Sequence, residues 1–162
     1  MKKRGIAAAI AAFLLITAAA CGCASNKTED HALARLTEYA DAIDSSYKNP
    51  EKIYALLCEN FRQQMSEEDF CSAFKKERSY PYITPLYISS PTVEMSQDNT
   101  SGTAVYIQAA RITGMTYKVS FIYENGDYYI EDWNSFLDGS YLSKFSNIPY
   151  SLDWYYSFDD QK

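Results

Sequence analysis

From about residue 30 to residue 78 apolar side chains recur every three or four positions; beyond residue 86 they alternate. Leu33, Leu36, Ala40, Ile43 and Tyr47 form one stripe at helical spacing and predict a helix over 30–46. Asn49-Pro50 restarts a helix, with Asn as the cap and Pro in the first turn. Ile53, Tyr54, Leu57 and Phe61 supply the apolar face of this second helix. Ser66 opens a third, because a capping hydroxyl is followed by Glu67, Glu68 and Asp69 at the positive end of the helix dipole. Phe70, Cys71, Ala73 and Phe74 face inward, while Lys75, Lys76 and Arg78 sit at the opposite end, where cations are favoured.

After Tyr80-Pro81 the period falls to two. Residues 86–89 and 92–96 read as short strands on either side of Pro91, and 98–102 as a turn. Residues 103–112 and 115–124 read as long strands around Thr113-Gly114. Asn125-Gly126 is a strong hairpin signal, and 127–133 returns as the next strand. Helices followed by an antiparallel meander predict an α+β fold, with three N-terminal helices packed on a curved antiparallel sheet. From Asn134 the pattern breaks into an aromatic-rich extension, 134–162, so the folded domain is expected over 30–133.

The segment before the first helix follows a different logic. Lys2, Lys3 and Arg4 precede an apolar run at 6–16, and Ala18, Ala19 and Ala20 lead to Cys21, Gly22 and Cys23. The run falls short of the roughly 20 residues of a membrane span. Charge, apolar run and small residues in that order make residues 1–20 a secretory signal, and 21–29 a short tether. The cysteines give the stretch a resemblance to the lipobox of bacterial lipoproteins, in which small residues precede a cysteine that becomes the lipidated N-terminus. Two registers fit, at Cys21 and at Cys23. Cys21 is preferred, since Cys23 would place a cysteine inside the recognition site. The resemblance implies a partner, the membrane, reached through a lipid on the extracytoplasmic face. The diacylglyceryl group carries two chains, enough for stable anchoring where one is marginal.

Three further stretches carry a second resemblance: residues 53–62 (IYALLCENFR), residues 65–70 (MSEEDF) and residues 126–133 (GDYYIEDW). They are similar to the second helix, the cap of the third helix and the closing hairpin of the nuclear transport factor two-like, cystatin-like cone superfamily, and in particular of its small exported lipoproteins from Gram-positive bacteria. The resemblance implies a strongly bent sheet wrapped around helices with an open end. Members use that hollow as an enzyme pocket, a ligand pocket or a protein-docking surface, so the fold leaves function open.

Loss of residues 1–20 removes three of 15 basic residues and none of 21 acidic ones, leaving 12 against 21, a balance of −9. Such a chain does not grip nucleic acid by charge. Tyrosine is in excess at 15 residues, against eight Phe and two Trp, which suits ordinary strands and also wet binding surfaces. Cys58 and Cys71 lie on neighbouring predicted helices; outside the cytoplasm they are either a disulfide pair or two buried thiols.

Catalytic signals are sparse. His31 is the one histidine, placed at the start of the first helix, where solvent is the expected neighbour. One histidine without clustered ligands does not make a metal site, and Cys58 lacks a histidine partner for nucleophilic chemistry. Phosphate loops and serine elbows are missing from the sequence, and the Glu67–Asp69 acids are accounted for as a helix start, so neither metal nor cofactor is expected. Asp132 with Tyr117 or Tyr128 resembles an Asp–Tyr acid–base arrangement, but no spacing selects them. Tyr150, Trp154, Tyr155 and Tyr156 offer a candidate binding surface for a sugar or peptide; the competing and preferred reading folds them back as a plug, because so many exposed rings invite aggregation. The sequence therefore points to a non-catalytic module binding a protein, a peptide or a small ligand, with an acid–base enzyme or a docking subunit of an envelope complex as alternatives. In detergent partition, Cys21→Ser is expected to move the chain into the aqueous phase and Cys23→Ser to leave it with the detergent.

Overall fold

The computed structural model describes residues 27–45, 48–79, 87–109 and 114–147. Cys21, Cys23, Tyr150, Trp154, Tyr155 and Tyr156 lie outside the described residues. Helix α1, Glu29–Asp44, begins at Thr28, whose hydroxyl accepts the His31 backbone N–H at 3.1 Å. Its buried face is Ala32, Leu36, Tyr39, Ala40 and Ile43. Leu33, expected in the stripe, is 40 % exposed. The buried face is rotated so that Tyr39, not Leu33, meets the sheet.

The second predicted helix is two short ones, α2 (Pro50–Ala55) and α3 (Glu59–Gln64). Pro50 occupies the first turn as expected, but the Asn49 side chain makes no capping bond. The break has a backbone cause. Ile130 N–H donates to Leu56 O at 2.8 Å, and Cys58 N–H donates to Ile130 O at 3.0 Å, so Leu57 forms a parallel bridge to Ile130. The chain exchanges helical bonds for bonds to a strand edge, so the Cys58 N–H and the Leu56 carbonyl are paired across the break. The apolar spacing survives because Ile53, Leu57 and Phe61 all remain buried. Helix α4, Glu67–Arg78, starts as predicted: the Ser66 hydroxyl accepts from Asp69 N–H at 3.1 Å and donates to the Asp69 carboxylate at 2.7 Å. Four helical segments, not three, thus precede the sheet among the described residues.

Strands β1 (Ile88–Met95), β2 (Ser101–Gln108), β3 (Thr116–Glu124) and β4 (Asp127–Glu131) form an antiparallel sheet in sequential order, curled into a half-barrel. The two strands expected around Pro91 are one. Its register shifts between Ser89 and Thr92, which lets the chain pass Pro91 on an edge strand, where a missing N–H is tolerated. Asn125 (φ 51°) and Gly126 (φ 92°) form the two-residue hairpin turn, both in the left-handed region that such turns require. Inward positions alternate through Ala104, Tyr106, Val119, Phe121, Tyr128 and Ile130, all buried. Helix α1 lies on this face, with the Tyr106 hydroxyl donating to Leu36 O at 2.8 Å.

After β4, Trp133 caps a short helix α5 (Asn134–Leu137), and a 3₁₀ segment follows at Ser140–Asn147. Phe136 is buried, its ring 5.5 Å from Phe70, 5.1 Å from Trp133 and 4.6 Å from Tyr141. The first part of the aromatic extension is therefore core. Cys58, buried, and Cys71, half-buried, are free thiols in this structure. Cys58 neighbours Glu124 and Glu131 on the sheet, whereas Cys71 neighbours Glu51, Glu67 and Lys75 on the helices; burial pushes both thiol pKa values up.

Gly102 pairs directly with Phe121. A Cβ there would fall 2.6 Å from Glu94 O and closer still to the Phe121 ring. Gly102→Ala is expected to lower stability by about 1–3 kcal/mol in urea unfolding, as overpacking does elsewhere.

Candidate functional site

Tyr39 enters from the middle of α1, Tyr117 from the start of β3, and Asp132 and Trp133 from the residues just after β4. Alternation aims Tyr117 inward with Val119 and Phe121, and Asp132 inward with Ile130. Trp133 then turns the chain with φ 64°, a left-handed conformation uncommon for a bulky residue.

These four side chains share one hydroxyl. Tyr39 Oη accepts the Trp133 indole N–H at 3.0 Å, lies 3.3 Å from Asp132 Oδ2 and 3.1 Å from Tyr117 Oη. The single Tyr39 proton goes to the carboxylate, so Tyr117 donates to Tyr39. Tyr39 has no exposed surface, and its pKa is raised by burial first and by the Asp132 charge second. Tyr117 and Asp132 are half-buried and form the accessible side of the cluster. The Asp132 carboxyl is largely withdrawn from water. That burial pushes it up to about 6, against the lowering effect of the Trp133 backbone N–H and the Tyr39 hydroxyl. The cluster thus presents one carboxylate, fixed by two donors, among aromatic rings.

Of the two tyrosines considered from sequence beside Asp132, the structure brings Tyr117 to it through Tyr39. Tyr128 is elsewhere, its hydroxyl donating to Asn99 O at 2.8 Å. Tyr39 was missed because its partners lie 78 and 93 residues away; an aromatic on the buried face of the first helix was the available signal.

His31 is not left to solvent. Its Nε2 lies 3.0 Å from Asp127 Oδ1, and its ring meets the Tyr128 ring edge-on at 5.5 Å. Arg35 joins the same carboxylate at 3.5 Å, donates to Tyr128 O at 3.1 Å and pairs with Glu38 at 2.7 Å. Tyr129 is flanked by two guanidinium groups, Arg35 at 5.2 Å and Arg62 at 5.0 Å. This surface is charge-balanced and tied to the hairpin end of the sheet. Among the described residues no cluster of His, Cys, Asp or Glu is arranged to hold a metal ion, and no helix is long and apolar enough to cross a membrane.

No protein-family model, curated protein or solved structure matches the chain.

Two outcomes follow, one for Asp132 and one for Tyr39. A carboxyl whose folded pKa (about 6) exceeds its ordinary value of 3.8 favours the protonated fold. Its effect is absent below about pH 4, grows as pH rises through 6 and is then constant. Asp132→Asn is expected to be more stable than the parent at pH 7.5, on the order of 1–3 kcal/mol, with the gap closing at pH 4. Urea titrations at both values check this. Tyr39→Phe removes the acceptor of a buried indole N–H and is expected to cost about 1–3 kcal/mol at either pH.

Proposed function

We propose that this chain is an exported lipoprotein, held by Cys21 or Cys23 to the extracytoplasmic face of a membrane, whose single domain is a non-catalytic binding module of the nuclear transport factor two-like kind. The curled antiparallel sheet with α1 on its inner face suits that cone, with the helices filling it. The apolar, alanine-rich run and its cysteines support the address.

One observation carries the binding reading. Asp132 is a largely buried carboxylate held in place by Tyr39 and by the Trp133 backbone, with a minor exposed part on the side of the Tyr117 ring and hydroxyl. A fixed acceptor bordered by aromatic faces recognises an ammonium or another strong hydrogen-bond donor on a small organic ligand or peptide. A docking subunit working through the outer sheet face is less well supported, because Glu94, Thr103, Lys118, Ser120 and Glu131 interrupt the apolar Val105, Ile107, Ile122 and Tyr129 there, leaving a mixed face.

The raised carboxyl of Asp132 beside two tyrosines keeps the acid–base enzyme as the second reading. It ranks lower because the cluster offers a single titratable acid near neutrality. His31, the other group suited to proton transfer, is engaged with Asp127 at the hairpin end.

Benzylammonium and benzyl alcohol are suitable probes in an NMR titration of the full chain. The expected result is saturable shifts at the Trp133 indole N–H, stronger for benzylammonium, with affinity reduced about tenfold or more in Asp132→Asn. Shifts that ignore Asp132, or none at Trp133, would remove this site from the function.

A further inference from the structure

The sheet has two distinct ends. At one end are the β1–β2 turn and the β3–β4 hairpin; at the other are the start of β1 and the β2–β3 connection. Helix α1 runs between them. Its first turn meets the hairpin end through His31 and Asp127, and its last residue, Asp44, accepts the Ile88 backbone N–H at 3.1 Å at the other.

The chain is fixed at the hairpin end before α1 begins. Asn99 in the β1–β2 turn donates its side-chain amide to Lys27 O at 3.1 Å. The Lys27 ammonium lies 5.1 Å over the Tyr123 ring near the end of β3. Thr28 then caps the helix. These contacts join residues more than 70 positions apart, so Lys27 belongs to the domain and not to the tether.

We infer that Lys27 is the fixed root of the tether, so that the hairpin end faces the membrane and the Asp132 site takes its ligand from the aqueous phase, not from the bilayer. The inference rests on the lipid-anchor reading above. Six peptide steps separate Cys21 from Lys27, an extended length of about 20 Å, and four steps from Cys23 give about 14 Å. The α1 helix of 16 residues is about 24 Å long. A tether shorter than the domain and rooted at one end keeps that end near the lipid and cannot let the domain invert; the other end reaches the surface only when the domain lies on its side. Tyr39 lies ten residues into α1, about 15 Å along its axis from the root. Asp132 lies five residues beyond the hairpin, a similar rise of about 17 Å along the strand. Both place the site on the side remote from the anchor.

The test is energy transfer from a fluorophore, introduced by an unnatural amino acid at Gln97 or at Thr116, to acceptor-labelled lipid. The full-length lipidated chain is reconstituted in phosphatidylglycerol–phosphatidylcholine vesicles. Both positions are exposed, Gln97 at the anchored end and Thr116 at the other. Transfer from Gln97 at least twofold more efficient than from Thr116 is the expected result. Equal or reversed efficiencies on vesicle-bound protein overturn the orientation while leaving the anchor intact. A chain that stays in the supernatant, with no transfer from either position, overturns the anchor reading and the orientation together. Asn99→Gly with Tyr123→Leu removes both contacts to Lys27 and keeps the left-handed turn accessible. With circular dichroism unchanged and vesicle binding retained, the Gln97–Thr116 difference is expected to shrink; persistence of the full difference overturns the role of Lys27 as the root.

Discussion

Trp133 is where the molecule is joined. Its ring packs 5.9 Å from Phe70, 5.4 Å from Phe74 and 5.1 Å from Phe136, tying α4 and α5 together. Its indole N–H reaches Tyr39 on α1, and its backbone follows directly from β4. To do all this it holds φ at 64°. That conformation costs on the order of 1–3 kcal/mol, and it persists because several rings and one buried hydrogen bond fix it. The same turn aims Asp132 into the cluster. Site geometry and core packing are therefore set by one backbone decision, and Asp132 cannot be repositioned without disturbing the aromatic core.

Phe70 extends that dependence. It meets Tyr54, Phe61, Phe74, Trp133 and Phe136, with centroids between 5.5 and 5.9 Å. Edge-on and tilted ring pairs of this kind add directional preference to plain burial. They explain how two six-residue helices, too short to be stable alone, hold their places. Four of the eight phenylalanines, Phe61, Phe70, Phe74 and Phe136, thus specify this core. Tyrosines at its margin carry the polar contacts: Tyr106 to α1, Tyr128 to the β1–β2 turn and Tyr54 to Met65 O.

What was legible in the sequence was local. Ser66 with its acids, Pro50 in a first turn, the Asn125-Gly126 hairpin and the alternation of β2 and β3 follow from short-range chemistry, and the structure has them. The misread features are those decided by distant partners. The break at Leu57 needs Ile130, and the rotation of α1 toward Tyr39 needs the sheet. The continuity of β1 past Pro91 needs β2 as a template. The site divides in the same way. Asp132 and Tyr117 were visible as an acid and a ring, but their selection depends on Tyr39, which apolar periodicity treats as just another core residue. His31 was assigned to solvent because nothing near it in the chain announces Asp127.

Both margins of the sheet are obstructed. On β4, Leu57 occupies the ladder and Arg35 holds the Tyr128 carbonyl. On β1, the register shift and Pro91 interrupt what would be a continuous row of donors and acceptors. A curled sheet finished in this way is a poor template for a second copy of itself. Growth from edge to edge into a fibre is disfavoured at both margins.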